Sequence, residues 1–140
     1  MRGLLADVHA EGLLASIVRV CRSQAWHEFW DIAGVRTFTM ADFALPVTTC
    51  DRDLWEFCQR EQLLLVTANR NDDSPTSLST TIRERNQSYS LPVLTIANLD
   101  SLRKSSQYRE RAAIQMLEIV LEPDRFRGAG RIYLPTEGKS

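Results

Sequence analysis

Six aspartates and asparagines of this chain stand just beyond apolar stretches, and two more open an amphipathic one. Asp7 follows Leu4-Leu5-Ala6, and Asp51 and Asp53 open the stretch that contains Leu54, Phe57 and Cys58. Asn69, Asn71, Asp72 and Asp73 follow Leu63-Leu64-Leu65-Val66-Thr67, and Asp100 follows the run from Leu91 to Ala97. Carboxylates drawn into one small space repel each other and stay ionised only when a cation joins them. Mg²⁺ or Mn²⁺, held by oxygen ligands and waters, does this and activates a water against a phosphodiester.

Each of these residues also has a plainer use. Asp51 and Asp53 suit a helix N-terminus through capping and the helix dipole, worth roughly 0.3–1 kcal/mol each. Residues two apart on a helix do not share a face, so one of the pair is expected to point inward. Asp51, on the side of Leu54 and Cys58, is that residue. Asp72 and Asp73 fit a turn with Asn69, Asn71 and Pro75, and Asp100 fits the cap of a long helix. Asp7 has the least plain reading, being polar directly after an apolar strand. His9 and His27 lack zinc-type partners. No Ser–His–Asp order or phosphate-binding glycine loop is present, and Gly128-Ala-Gly130 opens no helix.

The elements that must position these groups alternate in type. Leu4–Ala6 is a short strand, and Leu13, Leu14, Ile17, Val18 and Cys21 recur at helical spacing over residues 11–23. Trp26 to Ile32 is a second amphipathic piece, stopped at Gly34, with Trp26 and Trp30 as core or subunit contact. Val35 to Phe43 mixes β-branched and aromatic residues and predicts a strand. A helix capped by Thr48 or Thr49 follows, then Leu63–Thr67, whose unbroken apolarity predicts a central strand buried on both faces. A helix over Ser77–Asn86, a strand over Leu91–Ala97, one long helix from Asp100 to Leu121 and a last strand Arg131–Leu134 complete the pattern. Strands separated by helices imply parallel pairing and an α/β three-layer sandwich, with a mainly parallel sheet of four or five strands flanked by helices. In such sheets ligands bind beyond the carboxyl ends of the strands, where strand order reverses. Residues 1–136 read as one domain and 137–140 as a short tail.

Bulk properties bound the class. At 140 residues, 44% hydrophobic and 25% charged, the chain has the composition of one globular domain. Its apolar runs fall far short of the roughly 20 residues a membrane span needs, and Asp7 and His9 interrupt the apolar start, so no export is expected. Cys21, Cys50 and Cys58 are odd in number and without metal spacing, which predicts reduced thiols in a cytoplasm. Net charge is −1. Residues 101–140 hold eight Lys/Arg against five Asp/Glu (8 − 5 = +3), and residues 1–100 hold nine against thirteen (9 − 13 = −4). Arg103, Lys104, Arg109 and Arg111 read as a solvated helix face or as phosphate contacts. Three tryptophans and a long C-terminal helix leave apolar surface that suggests a homodimer.

The motifs Leu-Leu-Ala-Asp7, Asp51-Arg-Asp53-Leu-Trp and Leu-Leu-Val-Thr-Ala-Asn69-Arg-Asn71-Asp72 resemble those of a PIN-like family of small bacterial proteins. The resemblance spans roughly residues 3–100. It implies the PIN fold and a Mg²⁺- or Mn²⁺-dependent endoribonuclease, often a toxin neutralised by an antitoxin-like partner. It matches Asp7 to the family's first acid, Asp51 to the second and Asp53 to the following glutamate. Asn69 and Asn71 stand where the family carries aspartates; an amide oxygen ligates Mg²⁺ but brings no charge, so weaker metal binding is expected.

The expected site is therefore Asp7, Asp51 and Asp72 as catalytic acids, with Asp7, Asp51, Asn69 and Asp72 as metal ligands and RNA as substrate. Asp53, Asn71, Asp73 and Asp100 are further candidates. The rival expectation is a PIN-like module that has lost catalysis and binds RNA or a protein. A phosphate-accepting module of the response-regulator kind ranks last, since Lys104 is its only nearby lysine.

Overall fold

The computed structural model describes residues 1–68 and 76–136. Five strands form one parallel sheet: β1 (Gly3–Ala6), β2 (Arg36–Thr39), β3 (Leu63–Ala68), β4 (Val93–Ile96) and β5 (Arg131–Leu134), in the order β2-β1-β3-β4-β5. Six helices connect them: α1 (Glu11–Cys21), α2 (His27–Ala33), α3 (Asp51–Glu61), α4 (Leu78–Arg85), α5 (Leu99–Lys104) and α6 (Ser106–Leu121). Every strand pairing is parallel.

The layers follow from the two-residue period of a strand. Along β3, Leu64, Val66 and Ala68 face the cluster built with Leu13, Leu14 and Ile17 of α1 and Ala112, Met116 and Ile119 of α6. Leu63 and Leu65 face the opposite cluster, with Leu54, Trp55 and Cys58 of α3 and Leu78 of α4. All six residues of β3 are buried. A strand covered on both faces needs no polar alternation, and the sequence of β3 has none until Thr67. That hydroxyl pairs with the hydroxyl of Thr95 on β4 at 3.0 Å. Gly3 allows β1 and β2 to pair closely, since a Cβ there would lie 2.3 Å from the Arg36 carbonyl oxygen.

Several boundaries differ from expectation, each for a local reason. The strand expected over residues 35–43 ends at Thr39. There the Thr39 N–H donates to Asp42 Oδ2 at 2.8 Å and the Asp42 N–H donates to Thr39 Oγ1 at 3.2 Å, which turns the chain into a 3-10 turn at Ala41–Phe43. The single helix expected over residues 100–121 is two. Ser105 is extended, and its Oγ accepts from the Tyr108 N–H at 3.1 Å to start α6. Arg109 donates to the carbonyls of Leu102 and Arg103, both at 2.9 Å, and so closes the end of α5. Asp100 is not the cap of α5; Asn98 is, its Oδ1 accepting from Ser101 N–H at 3.0 Å. Thr49 does not cap α3 either: its hydroxyl donates to the Pro46 carbonyl at 2.6 Å, and Cys50 holds the cap position.

Candidate functional site

The chain steps outward from β1 to β2, crosses back to place β3 on the other side of β1, and then runs outward through β4 and β5. The reversal falls between the carboxyl ends of β1 and β3, which is where parallel α/β sheets open a binding crevice. Asp7 is the first residue beyond β1, and its N–H donates across to the Val66 carbonyl of β3 at 2.9 Å. Its backbone is thus tied to the reversal point. The residue is 5% exposed, and Oδ1 accepts from the His9 N–H at 3.0 Å, capping the 3-10 turn Val8–Ala10.

Asp51 enters from the first turn of α3. Its Oδ2 accepts from the Leu78 N–H, the first of α4, at 3.2 Å. The Arg52 N–H donates to the Thr76 carbonyl at 3.2 Å. Together these bonds tie the start of α3 to the start of α4. Asp7 and Asp51 line one polar cleft of ≈ 80 Å³, together with Val8, His9, Met40, Val47, Thr49 and Leu54. Helical geometry separates Asp51 from Asp53: Asp51 is half-buried in the cleft wall, whereas Asp53 is exposed and outside it.

The remaining expected residues divide in two. Asp100 is exposed in the first turn of α5 and does not line the cleft. Asn69, Asn71, Asp72 and Asp73 lie outside the described residues. Among the described residues, no three His, Cys, Asp or Glu side chains gather as a metal site. His9, Met40 and Thr49 belong to the cleft wall without having been expected there. No sequence spacing marks them, because Met40 and Thr49 reach the cleft through the irregular chain between β2 and α3.

A pair of carboxylates in a small polar cleft fits a magnesium-type ion, which keeps several waters and takes one or two protein carboxylates. The helix that carries Asp51 has its N-terminus at the cleft, and the positive end of its dipole favours an anion there. Comparison with known proteins finds no matching family model, no matching curated protein and no matching solved structure.

Among the described residues, no helix is long and apolar enough to cross a membrane. Cys21, Cys50 and Cys58 are free thiols.

Proposed function

We propose that the protein is a divalent-metal-dependent endoribonuclease of PIN-like type. The observation that carries this reading is the convergence of Asp7 and Asp51 on one polar cleft beside the reversal of strand order. In this reading Asp7 and Asp51 hold Mg²⁺ or Mn²⁺, with Asn69 and Asp72 completing the ligand set. The bound ion supplies an activated water and offsets the charge of a phosphodiester. The protein's own part is positional. The Asp7 backbone is fixed to β3, its carboxylate is oriented by the His9 N–H, and Asp51 is held by the Leu78 N–H. Cleavage forms a P–O bond to water and breaks the P–O bond to the leaving sugar oxygen, which takes up a proton. A role as the toxin of a toxin–antitoxin pair in a bacterial cytoplasm belongs to the same proposal.

Calorimetric titration with Mn²⁺, run beside cleavage of single-stranded RNA, tests it. The wild type is expected to bind the ion and cut RNA, and Asp7→Asn to do neither. Absence of a binding heat in the wild type refutes the metal reading.

One observation favours a second reading, a PIN-like module that binds RNA or protein without cutting. Among the described residues only two carboxylates line the cleft, and asparagines occupy positions 69 and 71. RNA binding without cleavage in Mn²⁺ selects this reading.

A further inference from the structure

A larger groove of ≈ 410 Å³ lies next to the acidic cleft, between α1 and the edge strand β2. Among the described residues none lines both depressions, but their linings are consecutive in the chain. Ala6 and Thr39, paired across β1 and β2, line the groove, and the next residue of each strand, Asp7 and Met40, lines the cleft. Thr37 pairs with Leu4 as Thr39 does with Ala6, so both threonines lie on the face that α1 and α6 cover elsewhere. At the sheet edge that cover stops, and Thr37 is exposed.

Charge along the groove is graded. Glu11 sits at the start of α1, nearest the cleft, and Arg19 and Arg22 line the groove further along. At 1.5 Å per residue they lie about 12 Å and about 16 Å down the helix from Glu11. Among the described residues, no ion pair or hydrogen bond engages either guanidinium. The acidic end therefore needs a cation before a phosphate can approach, whereas the basic end accepts a phosphate without one. Thr37 and Thr39 add hydroxyls between the two ends. Thr39 Oγ1 accepts from Asp42 N–H at 3.2 Å, which leaves its own proton to donate.

We propose that this groove seats single-stranded RNA on its way to the cleft, Arg19 and Arg22 holding phosphates and Thr37 and Thr39 meeting ribose 2′-hydroxyls. The destination of the strand rests on the nuclease reading; the binding does not. Phosphate contacts of this kind supply sequence-independent affinity that weakens with salt, and the 2′-hydroxyl is what distinguishes RNA from DNA.

The test is fluorescence anisotropy with a short labelled oligouridylate and the full chain, in EDTA so that neither metal nor cleavage intervenes. Salt is varied between roughly 50 and 200 mM. The wild type is expected to bind, and Arg19→Ala/Arg22→Ala to bind at least tenfold more weakly. The slope of log affinity against log salt should fall by about 1.4 in the double variant, at about 0.7 per phosphate contact on a single strand. Thr37→Val should reduce the preference for oligouridylate over oligodeoxyuridylate. Melting curves equal to wild type confirm that the variants fold, since these groove positions are surface ones. A wild type that does not bind, or a double variant that binds equally well, overturns the proposal. So does capture of an acidic peptide in preference to RNA. If RNA binding follows Arg19 and Arg22 but Mn²⁺ gives no cleavage, the groove stands and the nuclease reading falls.

Discussion

The Asp51 carboxylate accepts the Leu78 N–H at 3.2 Å, so one wall of the candidate site also holds the start of α4, beside the Ser77 cap. A structural role and the proposed chemical one therefore fall on one side chain. Asp51→Ala leaves the Leu78 N–H without this acceptor and should cost about 0.5–2 kcal/mol, the range for losing a cap. Asp51→Asn keeps an acceptor oxygen and should cost clearly less. Urea denaturation separates the two. On the nuclease reading, both variants lose Mn²⁺-dependent cleavage despite their different stabilities.

Asp7 allows the converse experiment. Asp7→Asn preserves an oxygen for the His9 N–H while removing a negative charge from beside Asp51, so metal-free thermal stability should be unchanged or higher. Mn²⁺ is expected to raise the melting temperature of the wild type and to leave that of Asp7→Asn where it was. A variant that melts well below wild type without metal would show that the charge itself holds the fold. Asn69→Asp is expected to tighten Mn²⁺ binding by restoring a charge.

Gln59 of α3 clamps the chain entering β4. Its side-chain N–H donates to the Leu91 carbonyl at 2.8 Å, and its side-chain oxygen accepts the Leu91 N–H at 2.9 Å. Leu91 is fully buried, so water cannot readily replace either bond. Gln59→Leu should destabilise the protein by about 2–6 kcal/mol, each of the two orphaned backbone groups costing about 1–3 kcal/mol. Gln59→Glu should fall between the two, since it keeps the acceptor and loses the donor. Chemical denaturation at neutral pH measures both.

Burial pushes the thiols of Cys21 and Cys58 up to about 12, from an ordinary value of 9.0. The folded chain therefore keeps protons that the unfolded chain releases above pH 9. Stability should fall as pH rises from about 9 to about 12, by roughly 1.4 kcal/mol per pH unit for each thiol. Cys21→Ala/Cys58→Ala should show a shallower decline, whatever its absolute stability. At pH 8 Cys50, half-buried at the start of α3, should react first with iodoacetamide. Peptide mass mapping reads this directly.

Residues that serve one role were legible in the sequence. Leu63 to Val66 have to satisfy two covering layers at once, and only a central strand asks for that. Asp7 stood out as a polar residue directly after an apolar strand, although its capping of the Val8–Ala10 turn did not. Capping was harder to read. Ser105 lies within an otherwise continuous helical pattern, and only the Arg109 contacts with the carbonyls of Leu102 and Arg103 reveal why the chain breaks there. Asp100 and Asn98 are equally good caps by type, and the choice between them depends on the backbone angles at residue 98. The approach of Met40 and Thr49 to the cleft depends on the path of an irregular connection, which no periodicity encodes. The neighbouring groove depends on β2 being the sheet edge, a consequence of strand order rather than of strand composition.

The packing of α1 against α6 has a consequence for how the chain is made. Leu13, Leu14 and Ile17 share one buried cluster with Leu64 and Val66 of β3 and with Ala112, Met116 and Ile119 of α6, so part of the first helix's cover arrives almost a hundred residues later. At about 5–20 residues per second of synthesis, that part of the apolar face stays open for several seconds after it leaves the ribosome. The cover of the α1 face is complete only once α6 has emerged.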